Sequence, residues 1–466
     1  MNKFYKTSML VGILFSNLCA SGSELGNLPL FSLLPFAGIL LSIAVLPLVK
    51  PHLWEHNFGK ISAFWATLFF LPFWVSFGAK TAFTELLHVL LLEYIPFIIL
   101  LLALFTISGG IRIKGTLVGS PKVNTIFLLI GTAIASWMGT TGASMLLIRP
   151  LIRANKWRKK KVHIFIFFIF LVANIGGSLT PLGDPPLFLG FLKGVDFFWT
   201  TTNLLFPMLI AVFILIVIFY FIDTFYYNKE VDAVPIIRIA KEKIALEGNI
   251  NLLFLLGVIF FVLLSGIWKP HFYLNFMHIH MELQNVLRDV SLLILTYMSI
   301  KYTKNEIRSA NAFTWFPIIE VAKLFAGIFI TIIPAIAILK AGSHGALAVI
   351  VDSTQNTDGS ANNMMYFWLT GILSSFLDNA PTYLVFFNTA GGNALELMTT
   401  HSQTLLAISC GAVFMGANTY IGNAPNFMVR AIAEENGIDM PSFFGYMLWS
   451  LLILIPVFIF ISLLFF

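Results

Sequence analysis

Four short stretches of this chain place polar groups where a helix must be interrupted. Asp184 stands directly before Pro185-Pro186, and Asp378-Asn379 comes just before Ala380-Pro381. Asn423 precedes Ala424-Pro425, and Thr140-Thr141 lies between Gly139 and Gly142. Proline is at home in the first turn of a helix, so an Asp or Asn ahead of it can cap that helix through its side-chain oxygen. A carboxylate at such a break can also hold a proton or a cation, and the two roles are compatible. Asp184, Asp378, Asn379 and Asn423 are therefore sodium candidates. Thr140, Thr141, Ser144, Asn174, Ser178, Thr180, Thr382, Asn418 and Thr419 offer neutral oxygen ligands, although such hydroxyls also commonly bond a nearby backbone carbonyl. Gly176 and Gly177 permit unusual backbone angles or close helix packing. No nucleophile–base pair or metal cluster stands at a workable spacing, and two cysteines are too few for a disulfide framework. The chain reads as no enzyme and needs no cofactor.

Composition says what surrounds these groups. Of 466 residues 58% are hydrophobic and 11% charged, with a mean hydropathy of +0.89. Soluble domains carry about 25% charged residues, so a soluble enzyme, a nucleic-acid binder and a disordered scaffold are excluded, and the lipid bilayer is the first partner. Long apolar stretches run at 31–49, 61–79, 86–108, 123–149, 162–192, 203–227, 250–268, 289–302, 313–340, 366–390, 403–429 and 442–466. Ionisable groups inside them are costly and mark function by default. Lys3 and Lys6 before Met9–Phe15 make residues 1–25 resemble a signal peptide or a short first helix.

Stretches 123–149 and 366–390 have helix-breaking centres and are too short to cross twice, since one crossing takes about 20 residues. Basic residues flank the first on both sides, from Arg112 to Lys122 and from Arg149 to Lys161, so both ends are cytoplasmic and the stretch is a re-entrant hairpin. The second has acidic flanks and dips in from outside. The remaining spans then place 22 Lys and Arg inside, 5 outside and Lys323 within a helix. Glu320 and Lys323, three apart, are expected to neutralise each other, and Lys156–Lys161 reads as a topology signal.

The order of elements repeats. Ser136–Ser144 matches Ser374–Thr382 at an offset of 238, and Thr180–Pro186 matches Thr419–Pro425 at 239. The predicted fold is an all-α polytopic membrane protein of two inverted repeats, 26–227 and 250–466, joined by a cytoplasmic linker at 228–249. Each repeat has three spans, a re-entrant hairpin, a broken helix and a final helix. Inverted repeats with interrupted helices are characteristic of secondary transporters.

The stretches Ala173–Asp184, Ser375–Thr382 and Asn418–Asn426 resemble the ion transporter superfamily, and within it the bacterial branch of NhaD-type sodium:proton antiporters and citrate transporters. The resemblance covers nearly the whole chain after about residue 30. It implies two ion sites at the hairpin tips and broken helices, substrate between them, a homodimer and elevator-like alternating access in the bacterial inner membrane. Antiporters of this group carry an Asp-Asn pair at the inner hairpin too, where this chain has Thr140-Thr141. Two aspartates at the breaks suit sodium:proton antiport. Sodium-coupled symport of citrate or another carboxylate is the alternative, ahead of an arsenite or oxyanion permease. In each case the small partners are Na⁺, H⁺ or the carboxylate.

Overall fold

A computed structural model describes residues 28–230, 243–277, 279–342 and 345–466. The segment expected at 1–25, and 231–242 of the linker, lie outside the described residues. The chain is an all-α polytopic membrane protein: seven helical segments are long and apolar enough to cross a bilayer, and the described strands form only two-stranded ribbons.

The helices sort into two bundles. The first holds α1 (Leu34–Val49), α2 (Pro51–Val89), a π turn (Leu90–Tyr94), α3 (Ile95–Ser108) and, from later in the chain, the long helices between residues 250 and 340. Within α2 the backbone leaves helical angles at Gly78 (φ 80°, ψ 161°), a conformation open to glycine. Phe83 then packs on Phe70 and Trp74, so the chain reverses there and two antiparallel segments result. The turn expected between two spans is thus one glycine rather than a polar loop.

The second bundle begins with α4 (Pro121–Met138) and α5 (Thr140–Ala154), which fold back on each other at Gly139 (φ 80°). There follow α6 (Val162–Leu171), a break containing the 3-10 turn Ile175–Leu179, α7 (Pro185–Leu192) and α8 (Phe197–Asn228). The first bundle resumes with α9 (Ile250–Ile267), a β-hairpin at Tyr273–Glu282, α10 (Leu283–Tyr302), the short α11 (Asn305–Ala310), α12 (Phe316–Thr331) and α13 (Ile333–Lys340). After α14 (Ala348–Ser353) the second bundle gains α15 (Asn363–Phe376), α16 (Asn379–Thr389), the short α17 (Ala394–Met398), α18 (Ser402–Met415), a break, α19 (Ala424–Glu435) and α20 (Phe443–Phe465). Helix α6 is buried from His163 to Leu171, which the apolar run Ile164–Leu171 allows, while α8 and α20 keep many large apolar side chains exposed for lipid.

Two expectations about charged residues are corrected. Glu320 does not meet Lys323; it accepts from Trp54 Nε1 at 3.1 Å, while the Lys323 ammonium lies over the Phe58 ring. The bases of 156–161 are not all a topology signal either. Arg158 is buried and donates to Asp223 Oδ1 at 2.5 Å, and the same carboxylate receives His163 Nε2 at 2.8 Å and Asn124 Nδ2 at 2.9 Å. Asn124 and Asn155 also bond each other, so this network ties the base of the α4–α5 hairpin to α6 and α8. Breaking a buried pair leaves an uncompensated charge at a cost of about 3–5 kcal/mol. Asp223→Ala is accordingly expected to lower the thermal midpoint sharply in detergent, whereas Lys159→Ala, at an exposed position, should leave it unchanged.

Candidate functional site

Each break is built by local sequence. Asp184 and Asn423 hold extended backbone at the N-cap positions of α7 and α19, with proline in the first turn that follows. Neither side chain makes the expected capping hydrogen bond, because both are drawn into the cluster between the breaks. Gly139 and Asp378 occupy the same position before α5 and α16. All four breaks meet in the second bundle, and the Thr140 N–H at the first hairpin tip donates to Gly183 O at 2.9 Å.

Asp184 is the centre of the cluster. Only 1% of it is exposed. Thr140 Oγ1 (3.2 Å) and Asn423 Nδ2 (2.9 Å) donate to its Oδ1, and Asn379 Nδ2 (2.5 Å) donates to its Oδ2. Both hairpins and both broken helices thus reach one carboxylate. Every donor is neutral, and among the described residues no Lys, Arg or His side chain pairs with it. A buried carboxylate in that setting needs a mobile positive charge, a proton or a bound cation, to complete it.

The hydrogen bonds around the breaks repeat between the halves. Ser136 Oγ donates to Gly176 O and accepts from Leu179 N, and Thr180 Oγ1 donates to Ser136 O. Ser375 Oγ donates to Met415 O and accepts from Asn418 Nδ2, and Thr419 Oγ1 donates to Ser375 O. Each residue of the second set lies 239 positions after its counterpart. The hairpin match at 238 is therefore off by one, because the Ser374-Ser375 doublet lets a short alignment slip. Thr140 corresponds to Asn379, and Gly139 to Asp378.

The remaining sequence candidates divide. Asn174 bonds Asn426 Oδ1 (2.6 Å) and accepts from Asn423 (3.3 Å), so it joins the cluster. A Cβ on Gly176 would meet backbone of Thr132, and one on Gly177 would meet Thr140 and Asp184, so both glycines serve close approach. Among the described residues the buried Ser144 hydroxyl has no hydrogen-bond partner, nor do the buried Oδ1 atoms of Asn379 and Asn418. Those two carbonyls are free to accept a cation. Thr382 bonds back to Asp378 O within its own helix. Asp378 accepts from Ala380 N at 3.0 Å and makes no hydrogen bond to the Asp184 cluster.

Sequence reasoning missed Ser136, Ser375 and Asn426. Asn426 donates to Gly416 O and Thr419 O, both at 2.8 Å, and bridges to Asn174. The two serines were inside the matched stretches, but only their contacts distinguish them from neighbouring small residues.

A cavity of about 80 Å³ borders the cluster, with Thr140, Thr141, Gly142 and Asp184 on one side and Leu101, Phe105 and Ile318 of the first bundle on the other. None of the residues that line it is cationic. The family model CitMHS_2, described as "Putative citrate transport", matches residues 25–466. No curated protein matches the chain.

Proposed function

Since the chain belongs to the CitMHS_2 family, we propose that it is a secondary transporter that exchanges Na⁺ for H⁺ at Asp184. The observation that carries this reading is the fully buried Asp184 carboxylate held by three neutral donors with no fixed cation. A proton or a sodium ion fills the same electrostatic role there, so the two compete, and competition for one site is the core of antiport. Asn379 Oδ1 and Asn418 Oδ1 supply further oxygen ligands. At about 80 Å³ the cavity favours a small ion over an organic anion, whose pockets commonly run to about 300 Å³ or more.

Placement follows from charge. The segments at 109–122, 149–161 and 303–312, helix ends and the turns between them, carry the dense basic residues and face the cytoplasm of a bacterial inner membrane. The two hairpins then enter from opposite faces as parts of inverted repeats. The bundle that holds the four breaks moves against the first in an elevator-like way, and the chain works as a homodimer.

Sodium-coupled citrate uptake is the second reading, favoured by the family's description and by the Thr141 hydroxyl and α5 N-terminus at the cavity edge. One experiment separates the two. Purified protein in vesicles is given an inward Na⁺ gradient while internal pH is followed, with and without citrate. Alkalinisation that ignores citrate supports antiport; Na⁺ and labelled citrate entering together without proton countermovement replaces it with symport. Asp378→Asn should keep exchange within about tenfold of wild type, because Asn and Asp cap helices equally well. A complete loss in that variant would add Asp378 to the ion site.

A further inference from the structure

At the end of the molecule remote from the basic loops, Lys193 Nζ meets Glu93 Oε1 at 2.6 Å. Glu93 lies in the π turn Leu90–Tyr94 and its side chain is 8% exposed. A π turn rotates the residues it holds relative to a regular α-helix, and such turns recur at functional sites. Here it turns a carboxylate of the first bundle toward the second. Lys193 is the C-cap of α7, the eight-residue helix whose N-cap is Asp184. One rigid rod of about 12 Å therefore has the central carboxylate at one end and this ammonium at the other.

The pair is unusual in its connectivity. Arg288–Asp289 lies within the first bundle, Arg158–Asp223 and Arg430–Glu434 within the second, and Arg112–Glu247 joins the two short strands that connect the bundles. Lys193–Glu93 crosses between them. Beside it opens a cavity of about 420 Å³ lined by Glu85, His88, Lys340 and the apolar Ile333 and Ile336. The central cavity lies toward the other end, walled by the later part of α3 and the start of α12.

We propose that Lys193 and Glu93 form the latch that closes the outer face while the Asp184 site communicates with the basic, cytoplasmic face. Any motion that carries α7 away from the first bundle must separate the two charges, and the 420 Å³ space gives each of them water to enter. The pair thus sets how the chain divides its time between its two faces. This inference rests on the alternating-access reading above.

The test follows exposure rather than transport. In a chain with Cys19→Ser and Cys410→Ala, Thr141→Cys at the cavity edge reports access to a membrane-impermeant maleimide added outside. Lys193→Met and Glu93→Gln should each raise the external labelling rate at least fivefold, and the exchanged pair Glu93→Lys with Lys193→Glu should return it to within twofold of the parent. Unchanged labelling in the single variants overturns the latch. So does an increase that the exchanged pair fails to reverse, since that would mean altered packing. Should Lys193→Met fail to fold with Glu93 left unpaired, Glu93→Gln decides the matter, because Lys193 retains solvent contact at 25% exposure. Labelling needs no transported ion, so a protein without Na⁺/H⁺ exchange would refute the proposed function and leave this test standing.

Discussion

Asp184→Asn is expected to reduce Na⁺-driven proton movement in vesicles to the protein-free background while the protein remains folded in the membrane. Asparagine leaves the helix start before Pro185 intact, because the Asp184 side chain makes no capping hydrogen bond there. It also fits the cluster. The new amide can donate to the Asn379 carbonyl once that side chain turns over, and this oxygen is now buried and unpartnered. Only the titratable charge is removed. In the wild type the same competition fixes a pH dependence. Protonation removes the form that binds Na⁺, so apparent sodium affinity rises with pH, by about tenfold per unit while the site is mostly protonated. Background-level exchange by Asp184→Asn with normal size-exclusion behaviour supports the assignment. Full exchange in this variant would leave Asp184 only the structural role of joining the two hairpins and the second broken helix.

Gly183→Ala is expected to abolish the folded site altogether. A Cβ at Gly183 would stand 2.1 Å from Gly177 O and 2.7 Å from its carbonyl carbon, and both are backbone atoms fixed by the break. No rotamer change relieves such a contact, so the loop that carries Asp184 must shift or the protein must unfold, at a cost above about 4 kcal/mol. Gly422→Ala repeats the clash in the second half, 2.5 Å from Gly416 O. Gly257→Ala is the matched control: its nearest neighbour at 3.0 Å is a terminal methyl of Leu295, which can move, and the cost should stay within about 1–3 kcal/mol. Thermal stability in detergent separates the two kinds of glycine. Equal midpoints for Gly183→Ala and Gly257→Ala would show that the break tolerates displacement.

Sequence alone determined the membrane class, the four breaks and most of the residues in them. A bilayer admits helices and little else, so apolar runs translate directly into spans. Proline after Asp or Asn marks a helix start for local steric reasons that need no partner. Hence Asp184, Asn379 and Asn423 could be chosen before any fold was known, and Thr140 by its place between Gly139 and Gly142.

Tertiary structure decided how those residues divide the work. Asp184 and Asp378 are equivalent on paper, each an aspartate ahead of a proline. In space the first takes bonds from both hairpins and the other broken helix, and the second caps its own helix. The repeat register, the burial of Arg158 and the Lys193–Glu93 contact were likewise beyond sequence reading. Each depends on which side chains meet across 65 or more residues of chain or on a shift of a single position. Local patterns fix where a helix breaks, but which broken ends share one carboxylate is set only by the packing of the bundle around them.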